Sequence, residues 1–239
     1  MLAGMIALSL SACGGSTVVT GAQSQDAAAP VSQAAEVMQQ PSSAKSTEIA
    51  EETAAIDSDN SADTLVLYFS AANTRDADAI SSATPMDNGV ASTQWIAELI
   101  HEEVGGDLAK IVPAVDYPLE YNDLADVAKK ETDSGARPAF EPLDVDPTTY
   151  KTVFLGYPIW WYTVPMIVEQ LFDSYDFSGV TIIPFNTHAG SRNGGTYALI
   201  QEREPDAAVL EGLAIRGEDV GKDSAKESII QWLQGLNLG

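Results

Sequence analysis

The chain has 239 residues and sets 12 Lys and Arg against 35 Asp and Glu, a formal charge of −23. That charge repels nucleic acid and anionic membrane surfaces, and it leaves cationic or neutral partners. A single cysteine, Cys13, excludes an intramolecular disulfide, and two histidines without a Cys/His cluster exclude a histidine-built metal site.

Met1 to Leu10 is short and apolar. It is too short to span a bilayer as a helix and reads as the apolar part of an export signal. Leu10-Ser11-Ala12-Cys13, followed by Gly14-Gly15, resembles the lipobox of bacterial lipoproteins. The resemblance implies cleavage before Cys13, lipid on its sulfur and a place on the extracytoplasmic face of the cell membrane, held by the lipid anchor alone. Residues 14–62 are rich in Ala, Ser, Thr, Gln and Glu, and Ser16 to Ala62 contains no aromatic residue. Such a segment cannot bury enough apolar surface to offset chain entropy, so a disordered stalk is expected.

Residues 63–239 form the folded domain, in which apolar runs alternate with helical patterns. Thr64 to Phe69 is a buried strand. Ile96, Leu99, Ile100 and Val104 share one helical face. Strands follow at Asp107 to Val112, Thr152 to Leu155, Val180 to Phe185 and Ala207 to Ile215. Helices are expected over Tyr121 to Asp133, Val164 to Tyr175, Gly195 to Arg203 and Ala225 to Leu236. Five strands alternating with helices predict a parallel doubly wound α/β sheet with helices on both faces, in the order 2-1-3-4-5. In that order the loops after strands one, three and four meet at the switch point, where open sheets bind ligands.

The first loop begins Ser70-Ala71-Ala72-Asn73-Thr74, with hydroxyls and backbone N–H groups that suit a phosphate. The convincing helix starts only at Thr93, with Ser92 as its N-cap. Residues 75–89 therefore read as an insertion, with Ser70 and Ser92-Thr93 gathered around one phosphate. The second loop is Gly156-Tyr157-Pro158-Ile159-Trp160-Trp161-Tyr162. Adjacent indoles after a strand cannot both enter one core, so at least one is left to cover a flat ligand or a partner. The third loop, Asn186 to Gly195, holds His188, which could donate to a carbonyl or, as its expected role, hydrogen-bond its own loop. A hydrolase built on Ser70 or Ser191 with His188 lacks a G-x-S-x-G elbow.

These residues together resemble the flavodoxin-like family, and within it bacterial flavodoxins whose second loop reads G-Y-P-x-W-W. Tyr68-Phe69-Ser70, Tyr117-Pro118 with Tyr121, Thr187 to Ser191 and Glu211 to Gly217 extend the match. The usual unbroken S-x-T-G-N-T phosphate run is absent, and His188 and Ala189 depart from the third loop's T-S-G-G-S pattern. The resemblance implies noncovalent FMN. Ser70 with Ala71, Ser92 and Thr93 would hold the phosphate, Pro158, Ile159 and Trp160 would line the ring edge, Trp161 or Tyr162 would stack on it, and Thr187, His188, Ala189 and Gly190 would approach the pyrimidine end. The expected function is electron transfer, as a carrier or as a reductase of flat acceptors, with no essential acid–base residue and with donor and acceptor unassigned. The alternative is a binding module for flavin or another flat ligand without redox turnover.

Overall fold

The computed structural model describes residues 61–71 and 90–236. Cys13, the stalk up to residue 60 and the 75–89 insertion lie outside the described residues. The first strand, β1 (Thr64–Phe69), is buried along its whole length, as expected of a central parallel strand covered on both faces. Its side chains alternate. Leu65, Leu67 and Phe69 enter one core, and Val66 and Tyr68 enter the other.

Strand β1 pairs in parallel with β2 (Asp107–Ile111) on one side and β3 (Thr152–Pro158) on the other. Strand β3 pairs with β4 (Thr181–His188). Strand β4 then carries both β5 (Ala208–Val209) and β6 (Leu213–Arg216) on its far side. The order is β2-β1-β3-β4-β5, the doubly wound topology that the sequence predicts.

Two strands differ from expectation. Strand β3 continues through Gly156-Tyr157-Pro158, in register to Pro158 opposite Thr187. The expected fifth strand is split by Leu210-Glu211-Gly212. The cause lies in β4. The carbonyls of Val180 and Ile182 accept from Ala208 and Leu210. Pro184 is next in that phase and has no N–H to offer. The ladder breaks there, and pairing resumes at Phe185 with Leu213.

Helices α1 (Ser92–Val104) and α5 (Asp223–Gly235) cover the face that holds Val66, Phe154 and Phe185. The apolar stripe Ile96, Leu99, Ile100 and Val104 is buried, as the spacing requires. Helices α2 (Tyr121–Ser134), α3 (Met166–Ser174) and α4 (Thr196–Arg203) occupy the opposite side; Leu124 and Ala128 of α2, Ile167 and Leu171 of α3 and Ile200 of α4 pack into the other core. Helix α1 begins one residue earlier than predicted. Ala91, not Ser92, is its N-cap and offers no side chain for capping.

Four charges join α3 and α4 to the turn after α2. Glu169 accepts from Arg203 at 3.0 Å and from Arg137 at 3.4 Å. Asp173, one turn on, accepts from the same two guanidinium groups. Glu169 is buried, so removing it leaves two cations short of a partner in a screened site. Glu169→Ala is expected to cost about 2 kcal/mol, between the values for exposed and buried pairs. A urea melt at neutral pH checks this; a change below about 0.5 kcal/mol would mean that Asp173 alone suffices.

Candidate functional site

The end of β3 leads into a two-residue hairpin turn. Ile159 N–H donates to Thr187 carbonyl at 2.8 Å, and Trp160 and Thr163 exchange both backbone hydrogen bonds at 3.1 Å. The central residues, Trp161 and Tyr162, have φ of 49° and 66°. Positive φ at both centres is the type I′ geometry, which favours Asn-Gly. Two bulky aromatics there are strained, by an order of 1–3 kcal/mol each.

The turn separates its two indoles. Trp160 points inward and packs edge-on against Phe69 and Tyr117, each at 5.2 Å between ring centroids. Trp160 is expected to line the ring edge; its indole lies in the core, packed against Phe69 and Tyr117. Trp161 points outward. Its Nε1–H donates to the Ala125 carbonyl of α2 at 3.0 Å, and the Lys129 ammonium lies 5.7 Å from its ring. Tyr162 is 75% exposed.

The third loop runs beside this turn. A Cβ on Gly194 would meet the Tyr162 carbonyl oxygen at 2.9 Å, so only glycine permits the approach. Thr187 is still in β4, fully buried, and its hydroxyl shares a hydrogen bond of 2.9 Å with that of Thr93. This pair ties α1 to β4, so the Thr187 side chain serves the frame of the site and not its open surface. His188 accepts the Gly190 N–H on Nδ1 at 2.9 Å, the loop-holding role expected of it.

Together the turn, the third loop and the start of α2 enclose a cleft of about 320 Å³, lined by Tyr121, Ala125, Ile159, Trp161, Tyr162, Ala189 and Ser191. Among the expected ring-contacting residues, Ile159, Trp161, Tyr162 and Ala189 line it, whereas His188 and Gly190 face elsewhere. Pro158 is the last paired residue of β3. Tyr121, Ala125 and Ser191 were given no ligand role from sequence. Tyr117-Pro118 with Tyr121 extended the family match without locating Tyr121, and nothing in the chain placed α2 over the turn. Ser70, Ser92 and Thr93 are all buried, at the end of β1 and the start of α1, beside Ala71. Among the described residues no group of His, Cys, Asp or Glu could hold a metal ion, and no helix is long and apolar enough to cross a membrane.

A family model described as Flavodoxin matches residues 63–236. The chain belongs to the flavodoxin family. Two solved structures resemble this flavodoxin domain. One, a candidate flavoprotein from Bacteroides uniformis ATCC 8492, is 29% identical with a TM-score of 0.56, over 72% of this chain and 97% of its own. The other, a candidate flavoprotein from Bacteroides eggerthii DSM 20697, is 28% identical with a TM-score of 0.57, over 74% of this chain and 98% of its own. No curated protein matches.

Electrostatics in this flavodoxin domain keep His188 neutral. Burial pushes its imidazole below the ordinary 6.5, Arg216 and Arg192 push it the same way, and Asp219 opposes them. A neutral ring in the folded state refuses a proton that the unfolded chain accepts. Its contribution is therefore complete above pH 6.5 and is lost as pH falls from there toward the depressed folded value. Between pH 7.5 and 5.5, His188→Gln is expected to lose less stability than the unsubstituted chain. Parallel urea melts at the two pH values check this; identical slopes would overturn it.

Proposed function

We propose that this protein binds FMN noncovalently and passes electrons at the extracytoplasmic face of the cell membrane, tethered through lipid on Cys13. The observation that carries the reading is the strained turn. Trp161 and Tyr162 hold unfavourable backbone angles and remain exposed beside an open cleft, and retained strain at a surface turn points to a role in binding. The lining suits a flat aromatic molecule: rings on one wall, the small Ala125, Ala189 and Ser191 around it, and no carboxylate among the described residues that line it.

Trp161, Tyr162 and Ile159 would hold the ring system, with Ala189 and Ser191 at its edge. Ser70, Ser92 and Thr93 would hold the phosphate near the start of α1, where N–H dipoles favour an anion. A bound flavin accepts and returns electrons, singly or in pairs. The chain contributes position and field. The acidic chain, of formal charge −23, opposes each added electron and so favours a strongly reducing site. The same charge steers cationic or neutral partners toward it.

The test is a titration of the full chain with FMN, followed by flavin fluorescence and the visible spectrum. Strong quenching with a perturbed spectrum is expected, then reversible bleaching by dithionite. Unquenched fluorescence would overturn the cofactor. Binding with no transfer from any donor to any acceptor would leave a capture module. Separately, Cys13→Ser is expected to move the protein from the membrane fraction to the soluble one; an unchanged distribution would remove the anchor.

A further inference from the structure

The third loop is a wall with two sides. Ala189 and Ser191 face the aromatic cleft. His188, Gly190 and Arg192 face a second cavity of about 580 Å³, closed by the end of β6 and the first turns of α5. The FMN reading uses no side chain unique to this second space.

Its chemistry is opposite to that of the protein as a whole. The chain has only 12 basic residues, yet Arg192 and Arg216 both line this cavity. Arg216 is paired with Glu218 at 2.7 Å. Arg192 has no carboxylate partner among the described residues. Asp219 also lines the cavity, and its charge is shared with Lys222 at 2.8 Å. The Ser228 hydroxyl is committed to the Ser224 carbonyl at 2.8 Å. The balance inside is therefore cationic, with Arg192 as the uncompensated charge.

Two further features suit a ligand. Arg192 has φ of 56°, a conformation costly for a residue with a side chain. Its carbonyl is fixed by Nδ2 of Asn186 at 3.0 Å, and Asn186 is itself fully buried and oriented by the Tyr197 hydroxyl at 2.8 Å. The arginine is thus mounted by a dedicated hydrogen-bonded chain. His188 is only 7% exposed. With Nδ1 accepting from Gly190, its proton sits on Nε2, and no described residue receives it. A buried donor without a partner is costly unless something else accepts from it.

We propose that this cavity binds the phosphate of a small phosphorylated molecule, with Arg192 and Arg216 as charged donors and His188 Nε2–H as the neutral one. Guanidinium forks match phosphate oxygens, and the volume exceeds that of the anion alone, which leaves room for an organic portion. The same chemistry could come from the flavin's own phosphate or from a separate molecule. The site commits to the separate one, because Ser70, Ser92 and Thr93 lie at the ends of β1 and α1, whereas this cavity lies beyond β4.

The probe is pyrophosphate, titrated calorimetrically into the full chain, first without flavin and then saturated with FMN. Binding is expected in both states. Arg192→Gln and Arg216→Gln are each expected to weaken it at least tenfold, with unchanged far-ultraviolet circular dichroism. Trp161→Ala is expected to leave it unchanged, so failure of the FMN reading and failure of this one separate cleanly. Equal affinity in both arginine variants would overturn the proposal, and so would loss of binding on FMN saturation, which would assign the arginines to the flavin's phosphate. Should Arg192→Gln fold poorly, Arg216→Gln carries the test, since its backbone is ordinary strand.

Discussion

Replacing Trp161-Tyr162 with Asn-Gly should make the domain more stable and nearly blind to FMN. The two effects have separate causes. Asn and Gly accept positive φ readily, so the double substitution removes a backbone strain of an order of 1–3 kcal/mol per residue. It also removes the Trp161 hydrogen bond to Ala125 and the Lys129 contact, together about 2 kcal/mol. The strain relief is larger, and a net gain of about 1 kcal/mol is expected, which for a domain of this size moves the thermal midpoint up by about 3 °C. Ring stacking is worth about 1–3 kcal/mol per ring removed. FMN affinity should fall about a hundredfold, equivalent to about 2.7 kcal/mol. Thermal melts of the apo forms and a fluorescence titration read the two quantities independently. A lower midpoint would mean that the aromatics hold the fold and not the ligand. Unchanged affinity would mean that the turn is not part of the site.

The second large effect is expected at Gly212, the residue that restarts the edge of the sheet. A Cβ there would lie 2.1 Å from the Pro184 carbonyl oxygen and 2.7 Å from the Tyr197 ring. The first obstacle is backbone in the middle of β4 and cannot turn aside. Gly212→Ala must push the chain away from β4, and β6 loses its pairing. A cost of about 3 kcal/mol, the upper end for overpacking, is expected, seen as a fall of about 9 °C in the thermal midpoint. Gly156→Ala is the instructive comparison. Its Cβ would strike the Phe185 ring at 2.2 Å, but a side chain can rotate where a carbonyl cannot. Gly156→Ala should therefore be the milder of the two. If Gly212→Ala proves the milder, the chain at this edge can move off the Pro184 carbonyl without losing the β6 pairing.

The sheet was readable because its central strands are unbroken apolar runs. Val66 and Phe154 need no distant information to be placed inside. The edge was harder. Ala207 to Ile215 looks continuous, and its break is dictated by a proline on the neighbouring strand. Gly156-Tyr157-Pro158 looks like a loop by composition, yet it extends β3 because β4 runs alongside it as far as Thr187. The site shows the same division. Adjacency of Trp160 and Trp161 implied that one would face out. Which one was decided by Phe69 and Tyr117, far away in sequence. Ser92 has the chemistry of a cap but lies one position too late, inside the helix. Arg192 gave no signal at all, since nothing local announces positive φ at an arginine. Gly194-Gly195 beside it marked only where the backbone could come close to a ligand.

The Asn186 amide holds residue 192 by its carbonyl oxygen and takes no interest in its side chain. Position and identity are thereby uncoupled at that point in the loop. A lineage could exchange the arginine for asparagine, aspartate or glycine, all of which tolerate the same backbone, and change what the second cavity accepts without refolding the loop. Relatives that keep Asn186 and Tyr197 but differ at position 192 would then share one loop shape and diverge in ligand. The socket is inherited, and the tool fitted to it is free to vary.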